Sequence, residues 1–543
     1  MRKLLTFVAA LLITGCLLAG GLVTNTNQSA SWVRLPVRNA STDIDAAYFN
    51  PAGLMKLENG FHVSLSNQTI FQNRTVRNDY SGPGGNYGLN VHTFEGEVSA
   101  PLFPSIYAVY KMDRLAISIG FNPVGGGGGA IYEQGLPSFE MSPSDLVPSL
   151  AASQGATAYR LNAYFKGTST FFGLQGALSY KINDWLSVAA GLRYVIAKNS
   201  YSGHLTDIEV QLPGGWTRAD LIMTNAAASY NTAAAGSSAL VAGGAGTLTF
   251  AQAQGAGIIS TTQRAQFEGA LTAAGYPVGT PIAQADAIYK GSAVRYAATA
   301  TLLADQTAKA EQDGTGTTGF FSVNLSPSEN INIGIKYEMA TKLDLKNKTT
   351  SDFLIGYTAT GTPITMFPNG DKNRNDMPAM LTVGIDYKLS SSLKVSAGAS
   401  YFFDKSADYG HSIDADLNSS TPTTHISNKD IIANNGLDLE AGLEYNISKK
   451  LLVSGGYLWS NKGVNDKYQS DLTYANASHT FGAGVAYSFT DKIKLNLGGS
   501  YTMYVKNQKV VDHIFSATDT NIPSNESYEK NTFIIGVGLD IRF

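Results

Sequence analysis

Few side chains in this sequence are of a type and spacing that could carry out covalent chemistry. The seven histidines show no spacing typical of a metal site, and no nucleophile stands in a motif with a base. The five glycines Gly125–Gly129 lack the Lys-Ser/Thr pair and the strand–helix context of a phosphate-binding loop. We therefore expect no catalytic residues, no metal site, no cofactor and no enzymatic activity.

The sequence favours binding chemistry, at cations that alternate with apolar residues. Arg193, Lys336, Lys394 and Lys494 each lie on the polar face of an alternating segment. A cation on such a face can bind the carboxylate of a ligand, although the polar face of a membrane-spanning sheet carries such residues in any case. We select Arg193 and Lys336 as candidate ligand-binding residues.

The elements that would position these residues are β-strands. In the last segment every second residue is apolar, and the residues between them are small, polar or branched. Its apolar face consists of Phe533, Ile535, Val537, Leu539, Ile541 and Phe543. The same period of two recurs in hairpins whose short turns we place at Met112-Asp113, Asn183-Asp184, Pro327-Ser328, Ser390-Ser391, Ser448-Lys449 and Thr490-Asp491.

These hairpins predict about fourteen strands. The strands around the turns are expected at 104–111, 114–123, 168–182, 185–199, 316–326, 330–346, 377–389, 392–407, 435–447, 450–463, 478–489 and 492–508. A first strand near 61–72 and a last one at 531–543 complete the set. An even number of strands is typical of bacterial outer-membrane barrels, and so is an aromatic last residue, here Phe543. The predicted fold class is all-β, a transmembrane antiparallel β-barrel.

Composition agrees with a barrel. Charged residues are 15% of the chain, well below the usual quarter. The mean hydropathy is −0.06, and after residue 25 there is no apolar run of about 20 residues that could form a membrane helix. The net charge of −3 argues against nucleic acid as a partner, since phosphate binding needs a basic excess.

The N-terminus reads as a secretion signal. Arg2 and Lys3 precede an apolar stretch, and cleavage is expected near Ala19, so that residues 1–19 are the signal peptide. A lipoprotein reading, in which Cys16 is acylated, stays open. Cys16 is the only cysteine, so cleavage at Ala19 leaves a mature chain without disulfides.

The rest divides into a plug and a barrel. Residues 20–60 are too irregular to be wall, and residues 61–543 would form the barrel. Two connections between hairpins are expected to be long loops, 124–167 and 200–315. The second is the longest and is predicted to be partly helical, at Thr261–Ala274 and Ser292–Gln312, because these stretches are rich in alanine.

The N-terminal stretch resembles a known family. Asn50-Pro51-Ala52-Gly53-Leu54, preceded by Ser41–Ala46, is similar to the hatch of FadL-type fatty acid transporters and TodX-type toluene channels. Tyr337–Leu345 looks like the seventh strand of that family, and Met377–Met380 looks like its Pro-containing entry to the eighth. The glycine run is longer than in the fatty acid transporters, and their fatty-acid-binding residues have no clear match here. Lys198 lies near a basic position of theirs, although its parity turns it outward.

The resemblance implies a Gram-negative outer-membrane channel for small hydrophobic molecules, either long-chain fatty acids or aromatic compounds. Extracellular loops would capture the ligand, and a hatch at Asn50, Pro51, Ala52 and Gly53 would gate a pocket inside the barrel. Arg193, Lys198 and Lys336 are then the candidate ligand-binding residues. Release would be lateral, through an opening expected at Phe121, Asn122, Pro123, Gly125 and Gly126, because proline and glycine weaken strand pairing.

Other readings stay open. The expected partners are a hydrophobic ligand and outer-membrane lipid, and the chain is expected to be a monomer. An adhesin, or a receptor barrel for a haem-like ligand, is the main alternative. An outer-membrane lipase would need a Ser/His/acid arrangement that the sequence does not show, and the plug and apolar loops argue against a general porin.

Overall fold

The computed structural model describes residues 22, 24–358, 361–409, 412–413, 424–425, 428–515, 517–518 and 520–543. The expected signal peptide 1–19 and Cys16 lie outside the described residues. Within these ranges the chain folds into a closed antiparallel barrel, which confirms the predicted fold class.

The wall has fourteen strands in the described part of the chain. The first pairs with both the second and the last, so the barrel has no free edge. The strands are β1 Gly60–Asn78, β2 Thr93–Met112, β3 Leu115–Tyr132, β4 Ala158–Lys181, β5 Leu186–Leu212, β6 Gln306–Ser328, β7 Ile331–Glu338 with Asp344–Ser351, β8 Lys372–Arg374 with Met380–Lys388, β9 Leu393–Phe402, β10 Gly436–Asn446, β11 Leu451–Asn461, β12 Ser478–Thr490, β13 Ile493–Tyr504 with Asn507–Val511, and β14 Ser524–Arg542.

The period of two sets the two faces of the wall. On β14, Phe533, Ile535 and Val537 are exposed on the outside, whereas Ile534 and Gly536 face the interior. The same outward apolar belt continues around the barrel, as on β5 at Leu192, Tyr194 and Ile196. Short turns join the strands at one end, called here the turn end, and longer connections join them at the loop end.

Several strands extend farther at the loop end than predicted. β3 runs to Tyr132 and β4 begins at Ala158, so much of the expected loop 124–167 is wall. β5 runs to Leu212 and β6 begins at Gln306, so both ends of the expected loop 200–315 are strand. The backbone ladder continues there, but the outward residues are polar, and the apolar alternation that revealed the strands stops below it.

The connection between β5 and β6 carries a helical insert, as predicted. Thr261–Ala274 is observed as a helix over Thr261–Ala273, where Ser260 and Gln263 form a capping box. The helix predicted at Ser292–Gln312 is only partly correct. The observed helix is Ile282–Leu303, and from Gln306 onward the chain belongs to β6. The helices are α1 Ala30–Arg34, α2 Ala46–Phe49, α3 Pro137–Ser144, α4 Leu146–Gln154, α5 Ala219–Leu240, α6 Phe250–Gly255, α7 Thr261–Ala273, α8 Ile282–Leu303 and α9 Asn428–Ile431.

The insert has a core of its own. Phe250 stacks on Phe267 with ring centroids 4.6 Å apart, and Tyr289 packs beside both rings. None of the helices in the described residues is long and apolar enough to cross a membrane. Short elements are the 3-10 turns Pro51–Lys56, Pro83–Gly85 and Asp404–Ser406, the π-turn Val241–Ala245, and the strands Gly215–Arg218, Leu354–Tyr357, Pro363–Thr365, Ser412–Ile413, Thr424–His425, Ile514–Phe515 and Thr520–Asn521.

Candidate functional site

Residues 24–57, called here the N-terminal segment, run through the inside of the barrel. α1 packs against β11–β14 and β1, and the turn Pro51–Lys56 packs against β2–β6 on the other side. Almost every residue from Gln28 to Met55 is buried. The segment therefore crosses the lumen and contacts both sides of the wall.

Asn50 fixes the segment to β6. Its side-chain amide donates to Asn324 Oδ1 at 2.7 Å, and the Ser322 hydroxyl donates to Asn50 Oδ1 at 2.8 Å. Gly53 is required for space, because a Cβ there would lie 2.4 Å from the Ser41 carbonyl oxygen. These contacts give the asparagine and the glycine of the predicted hatch motif their physical reason.

Pro51 and Ala52 complete the contact with the wall through their backbone. Ser179 of β4 donates to the Pro51 carbonyl at 2.7 Å, and Ser187 of β5 donates to the Ala52 carbonyl at 2.8 Å. Pro51 occupies the first turn of its 3-10 helix, where its missing N–H costs no hydrogen bond. The four motif residues thus bind three neighbouring strands.

Ion pairs hold the other half of the segment. The Arg34 guanidinium lies 2.6 Å from Glu444, which also accepts Lys394 at 2.5 Å. Arg34 and Glu444 are both buried, so removing either would leave a charge without its partner. Lys394, one of the lumen cations noted in the sequence, is therefore engaged with the wall and not free.

The Ser41–Ala46 motif binds a second arginine. Arg38 Nη2 lies 2.7 Å from Asp45 and 2.8 Å from Asp43. Lys494 approaches Asp43 at 3.5 Å from β13. The positive charges of Lys494 and Arg38 hold the pKa of the Asp43 carboxyl well below its usual range, so the carboxylate stays ionised.

Lumen-facing glycines of the wall allow the N-terminal segment to approach the strands closely. At Gly498 on β13 a Cβ would lie 2.6 Å from the Arg34 backbone nitrogen, and at Gly482 on β12 it would lie 2.6 Å from the Val33 carbonyl oxygen. We call the whole set the glycine belt. It comprises Gly334, Gly384, Gly398, Gly442, Gly456, Gly482, Gly484, Gly498, Gly536 and Gly538, each of which approaches residues of the segment. The bare backbone of the wall allows the segment to lie directly on it.

Arg193 and Lys336, the predicted ligand-binding cations, lie together in the lumen but contact the segment. Both pair with Glu338, and all three side chains are buried. Lys336 Nζ also donates to the Tyr48 carbonyl at 2.8 Å, and the two cations lie over the Tyr48 ring at 4.4 and 5.0 Å. In this structure they bind α2, so the ligand role assigned to them stays a prediction.

Lys198 lies apart from them. Its side chain is 63% exposed on the outer face of β5, as its parity indicates, and its nearest acid is Glu311 at 3.9 Å. The structure therefore does not bring Lys198 together with Arg193 and Lys336.

Replacing Glu338 by alanine (Glu338→Ala) should destabilise the barrel strongly. It leaves Arg193 and Lys336 buried without a carboxylate, at a cost of about 3–5 kcal/mol. Urea unfolding in detergent measures this free energy. The matched control is Glu311→Ala, which removes the exposed partner of Lys198 and should cost at most about 1 kcal/mol. Equal losses in the two variants would contradict a structural role for the Glu338 pairs.

Strand pairing is interrupted between β2 and β3. The two strands pair from Met112↔Leu115 to Ile106↔Phe121, and again only at Val98↔Ala130 and Glu97↔Ile131. Residues 99–105 and 122–129 between these pairs, all within the described ranges, do not pair with one another. We call this interruption the wall gap. It includes Asn122, Pro123, Gly125 and Gly126 of the predicted lateral opening, and the opening itself stays a prediction.

The N-terminal segment binds the part of β3 that does not pair with β2. The Asn25 side chain donates to the Gly126 carbonyl at 2.6 Å, and the Gln28 side chain donates to the Pro123 carbonyl at 2.7 Å. Asn122 in turn donates to Gln28 Oε1 at 2.7 Å. Because unsatisfied backbone is costly in a bilayer, these bonds explain how the gap is tolerated. Residues of the N-terminal segment and of the wall gap are thus in direct contact.

The remaining residues of the predicted opening lie at the edge of the wall gap or within it. Phe121 stays in the regular wall and stacks on Phe172 of β4 at 5.4 Å. Gly125 is paired with Phe171, but the register between β3 and β4 shifts on either side of it. Gly126 adopts a φ of +93°, where a side chain would be strained.

A cavity of about 340 Å³ lies between the segment, the wall and the loops at the loop end. It extends to Gly126, Ala130 and Val98 at the edge of the wall gap. Its volume lies in the range of small-molecule sites. Apolar lining is supplied by Trp32, Ile70, Tyr132, Phe165, Tyr201, Met366, Phe367, Leu458, Leu472 and Ile534, among other residues.

Three cations also line the cavity. Lys462 is ion-paired with Asp438 at 3.4 Å. Arg74 and Lys530 form no ion pair with a carboxylate in the described part of the chain. They lie over tyrosine rings instead, Arg74 at 5.3 Å from Tyr474 and Lys530 at 4.1 Å from Tyr504. Two cations without acid partners beside apolar walls can bind the anionic end of an amphipathic molecule.

These cavity cations were missed in the sequence, although a signal for them exists. Arg74 lies two residues beyond the predicted strand 61–72, with the same parity as the inward Gln72. Lys530 lies one residue before the predicted strand 531–543. Extending the alternation through polar residues would have placed both inside the barrel. No group of three or more His, Cys, Asp or Glu suited to a metal ion occurs among the described residues.

Comparison with known proteins shows the family to which this chain is similar. Residues 10–543 match the family model "Outer membrane protein transport protein (OMPP1/FadL/TodX)". The chain matches no curated protein sequence. Among solved structures, a Pseudomonas aeruginosa FadL homologue is 13% identical, with 96% of this chain and 98% of that chain covered and a TM-score of 0.56.

Two toluene transporters are also similar. The Pseudomonas putida protein TodX is 14% identical over 96% of this chain and all of its own, with a TM-score of 0.48. The Ralstonia pickettii protein TbuX is 14% identical over 92% and 94%, with a TM-score of 0.46. Identities this low bear on the fold and not on the substrate. The match to the family model, however, spans nearly the whole chain, and the chain belongs to the OMPP1/FadL/TodX family of outer-membrane transport proteins.

Proposed function

We propose that this chain transports small hydrophobic molecules bearing an anionic group, with long-chain fatty acids as the best fit. The observation that carries the proposal is the cavity at the loop end, where Arg74 and Lys530 lack carboxylate partners and face a lining that combines apolar and aromatic side chains with uncharged polar ones. An aliphatic chain gains about 0.8 kcal/mol for each methylene it buries. The carboxylate would then be bound by the two cations.

The proposed route begins at the extracellular loops and ends in the bilayer. The loops capture the ligand and pass it to the cavity, whose floor includes Asn25 and Asn27 of the N-terminal segment. That segment acts as the hatch. When Asn25 and Gln28 release Gly126 and Pro123, the cavity opens toward the wall gap, and the ligand leaves sideways into lipid. A lateral exit spares the hydrophobic chain a second exposure to water.

Replacing both cavity cations tests the substrate class. In Arg74→Gln with Lys530→Gln, the affinity for a fluorescent long-chain fatty acid should fall about tenfold or more, because a hydrogen bond to a charged group contributes about 1.5–3 kcal/mol. Binding of the corresponding methyl ester should not change. The matched control is Lys506→Gln, an exposed lysine near the same end that pairs with Glu529. Equal loss of acid and ester binding would contradict the proposed role of the cations.

A second candidate substrate is a neutral monoaromatic hydrocarbon. It is favoured by the tyrosine and phenylalanine rings in the cavity lining, among them Tyr132, Tyr201 and Phe367. The same titration separates the two. Wild-type protein that binds toluene tightly and shows no preference for the fatty acid over its ester would favour the aromatic substrate.

A further inference from the structure

The outer face of β4–β8 carries a cluster of lysines at the loop end. We call it the basic patch and define it as Lys166, Lys198, Lys309, Lys346, Lys348 and Lys372. Each has the outward parity of its strand. Lys166 is half-exposed and the other five are exposed.

Strand register arranges the lysines in rows across the wall. In one row Lys166 on β4 is opposite Ser202 on β5, which is opposite Lys309 on β6. Two rows closer to the turn end, one row contains Lys198 on β5, Asp313 on β6, Lys346 on β7 and Lys372 on β8. Neighbouring strands are about 4.8 Å apart, so Lys166 and Lys309 are about 10 Å apart at the backbone. The rows thus place several positive charges on the same outer face of neighbouring strands.

Most of these charges are not neutralised by the protein. Lys348 pairs with Asp313 at 2.6 Å, and Lys198 lies 3.9 Å from Glu311. Lys166, Lys309, Lys346 and Lys372 form no ion pair within the described ranges. The patch therefore keeps a positive excess, and its natural complement is a polyanion.

The position of the patch identifies the kind of polyanion. On β5 the outward residues Leu192, Tyr194 and Ile196 belong to the apolar belt, and Lys198 is the next outward residue. A molecule whose acyl chains lie against the belt has its headgroup beside the lysines. A soluble anion would have no reason to meet a surface continuous with the belt, whereas a lipid of the outer leaflet must.

The patch ends at β4, next to the wall gap, since Lys166 is opposite Ile131 of β3. At the same end of β2, the outward exposed residues are Glu95 and Glu97, which repel anionic headgroups. The wall gap follows directly, since Glu97 is opposite Ile131 beside it. Anionic lipid would accordingly be held over β4–β8 and repelled on the β2 side of the wall gap.

We propose that the basic patch binds the phosphate groups of lipopolysaccharide, the phosphorylated glycolipid of the outer leaflet. Lysine binds phosphate as a compact positive charge. Lipopolysaccharide molecules are otherwise linked to each other through divalent cations, and the lysines replace these cations at the protein surface. Binding should therefore persist when divalent cations are removed.

The test compares two fourfold variants of the full-length protein. One carries Lys166→Gln, Lys309→Gln, Lys346→Gln and Lys372→Gln. The control carries Lys388→Gln, Lys449→Gln, Lys450→Gln and Lys492→Gln, which are exposed lysines at the turn end. Each is purified in mild detergent with EDTA, and the bound lipopolysaccharide is counted by native mass spectrometry. Wild type and control should retain it, and the patch variant should lose it.

A protection experiment tests the same proposal independently. Purified lipopolysaccharide added to wild-type protein should protect Lys166, Lys309, Lys346 and Lys372 from acetylation, a measurement that needs no variant. Dephosphorylated lipopolysaccharide and phosphatidylglycerol should protect them much less. The proposal would be overturned if both fourfold variants retained lipopolysaccharide equally. It would also be overturned if lipopolysaccharide gave no protection, or if the two other lipids protected the lysines as well as lipopolysaccharide does.

Discussion

Gly498→Leu should displace the N-terminal segment from the wall and make the barrel leak ions. At this position a Cβ would lie 2.6 Å from the Arg34 backbone nitrogen, and the rest of a leucine side chain would need the space that α1 occupies. Overpacking of this kind costs about 1–3 kcal/mol even where neighbours can adjust. The segment is bound mainly by side-chain contacts, so it can yield more easily than the strand ladder. Single-channel conductance in planar bilayers should therefore rise well above that of the wild type.

The adjacent glycine supplies the control. At Gly499 a Cβ would have no atom within 4 Å, because this residue faces the outside of the wall. Gly499→Leu adds the same side chain to the same strand and should leave conductance unchanged. If the two variants conduct alike, or if Gly498→Leu folds and stays closed, the segment is not what closes the lumen.

Blocking the outer mouth of the wall gap should abolish delivery of the substrate to the membrane. Leu102 is 77% exposed on the outside of β2, among the residues that do not pair with β3. In Leu102→Cys, a bulky thiol reagent attached in detergent would fill the exit once the protein is placed in liposomes. Fatty acid transfer into those liposomes should fall to the level of liposomes without protein.

The same label on a regular part of the wall is the matched control. Leu178 on β4 is 58% exposed on the outside and lies in an uninterrupted ladder with β3 and β5. Labelled Leu178→Cys should transfer fatty acid as the wild type does. Undiminished transfer by labelled Leu102→Cys, with the ligand still bound in the cavity, would rule out the lateral route.

The barrel could be predicted because its wall repeats one rule. An outward apolar residue at every second position identified the hairpins and the faces of β14, and no partner residue had to be known. The prediction stopped where the outward residues become polar. For that reason the strand boundaries were drawn short, and Arg74 and Lys530 fell outside them although they line the cavity.

The lumen cations show what a single sequence could not reveal. Parity placed Arg193 and Lys336 inside correctly. Their partner Glu338 shares their face, but the Tyr48 carbonyl reaches Lys336 only because a distant segment crosses the lumen. Contacts between residues almost 300 positions apart leave no local pattern. By contrast, Asn50–Gly53 was found because it resembles a motif of a known family, and its contacts with three strands became visible only in the structure.

The two ends of the helical insert meet. β5 and β6 pair as far as Leu205↔Gln306, so the chain departs from the wall and returns to it on neighbouring strands, about 4.8 Å apart. The insert also packs around its own aromatic core. For the pairing of the wall strands, this partly helical insert is interchangeable with a tight hairpin turn. The junction is thus a natural point of modularity, where descendants of this barrel can gain, lose or exchange a whole surface domain while every strand keeps its neighbours.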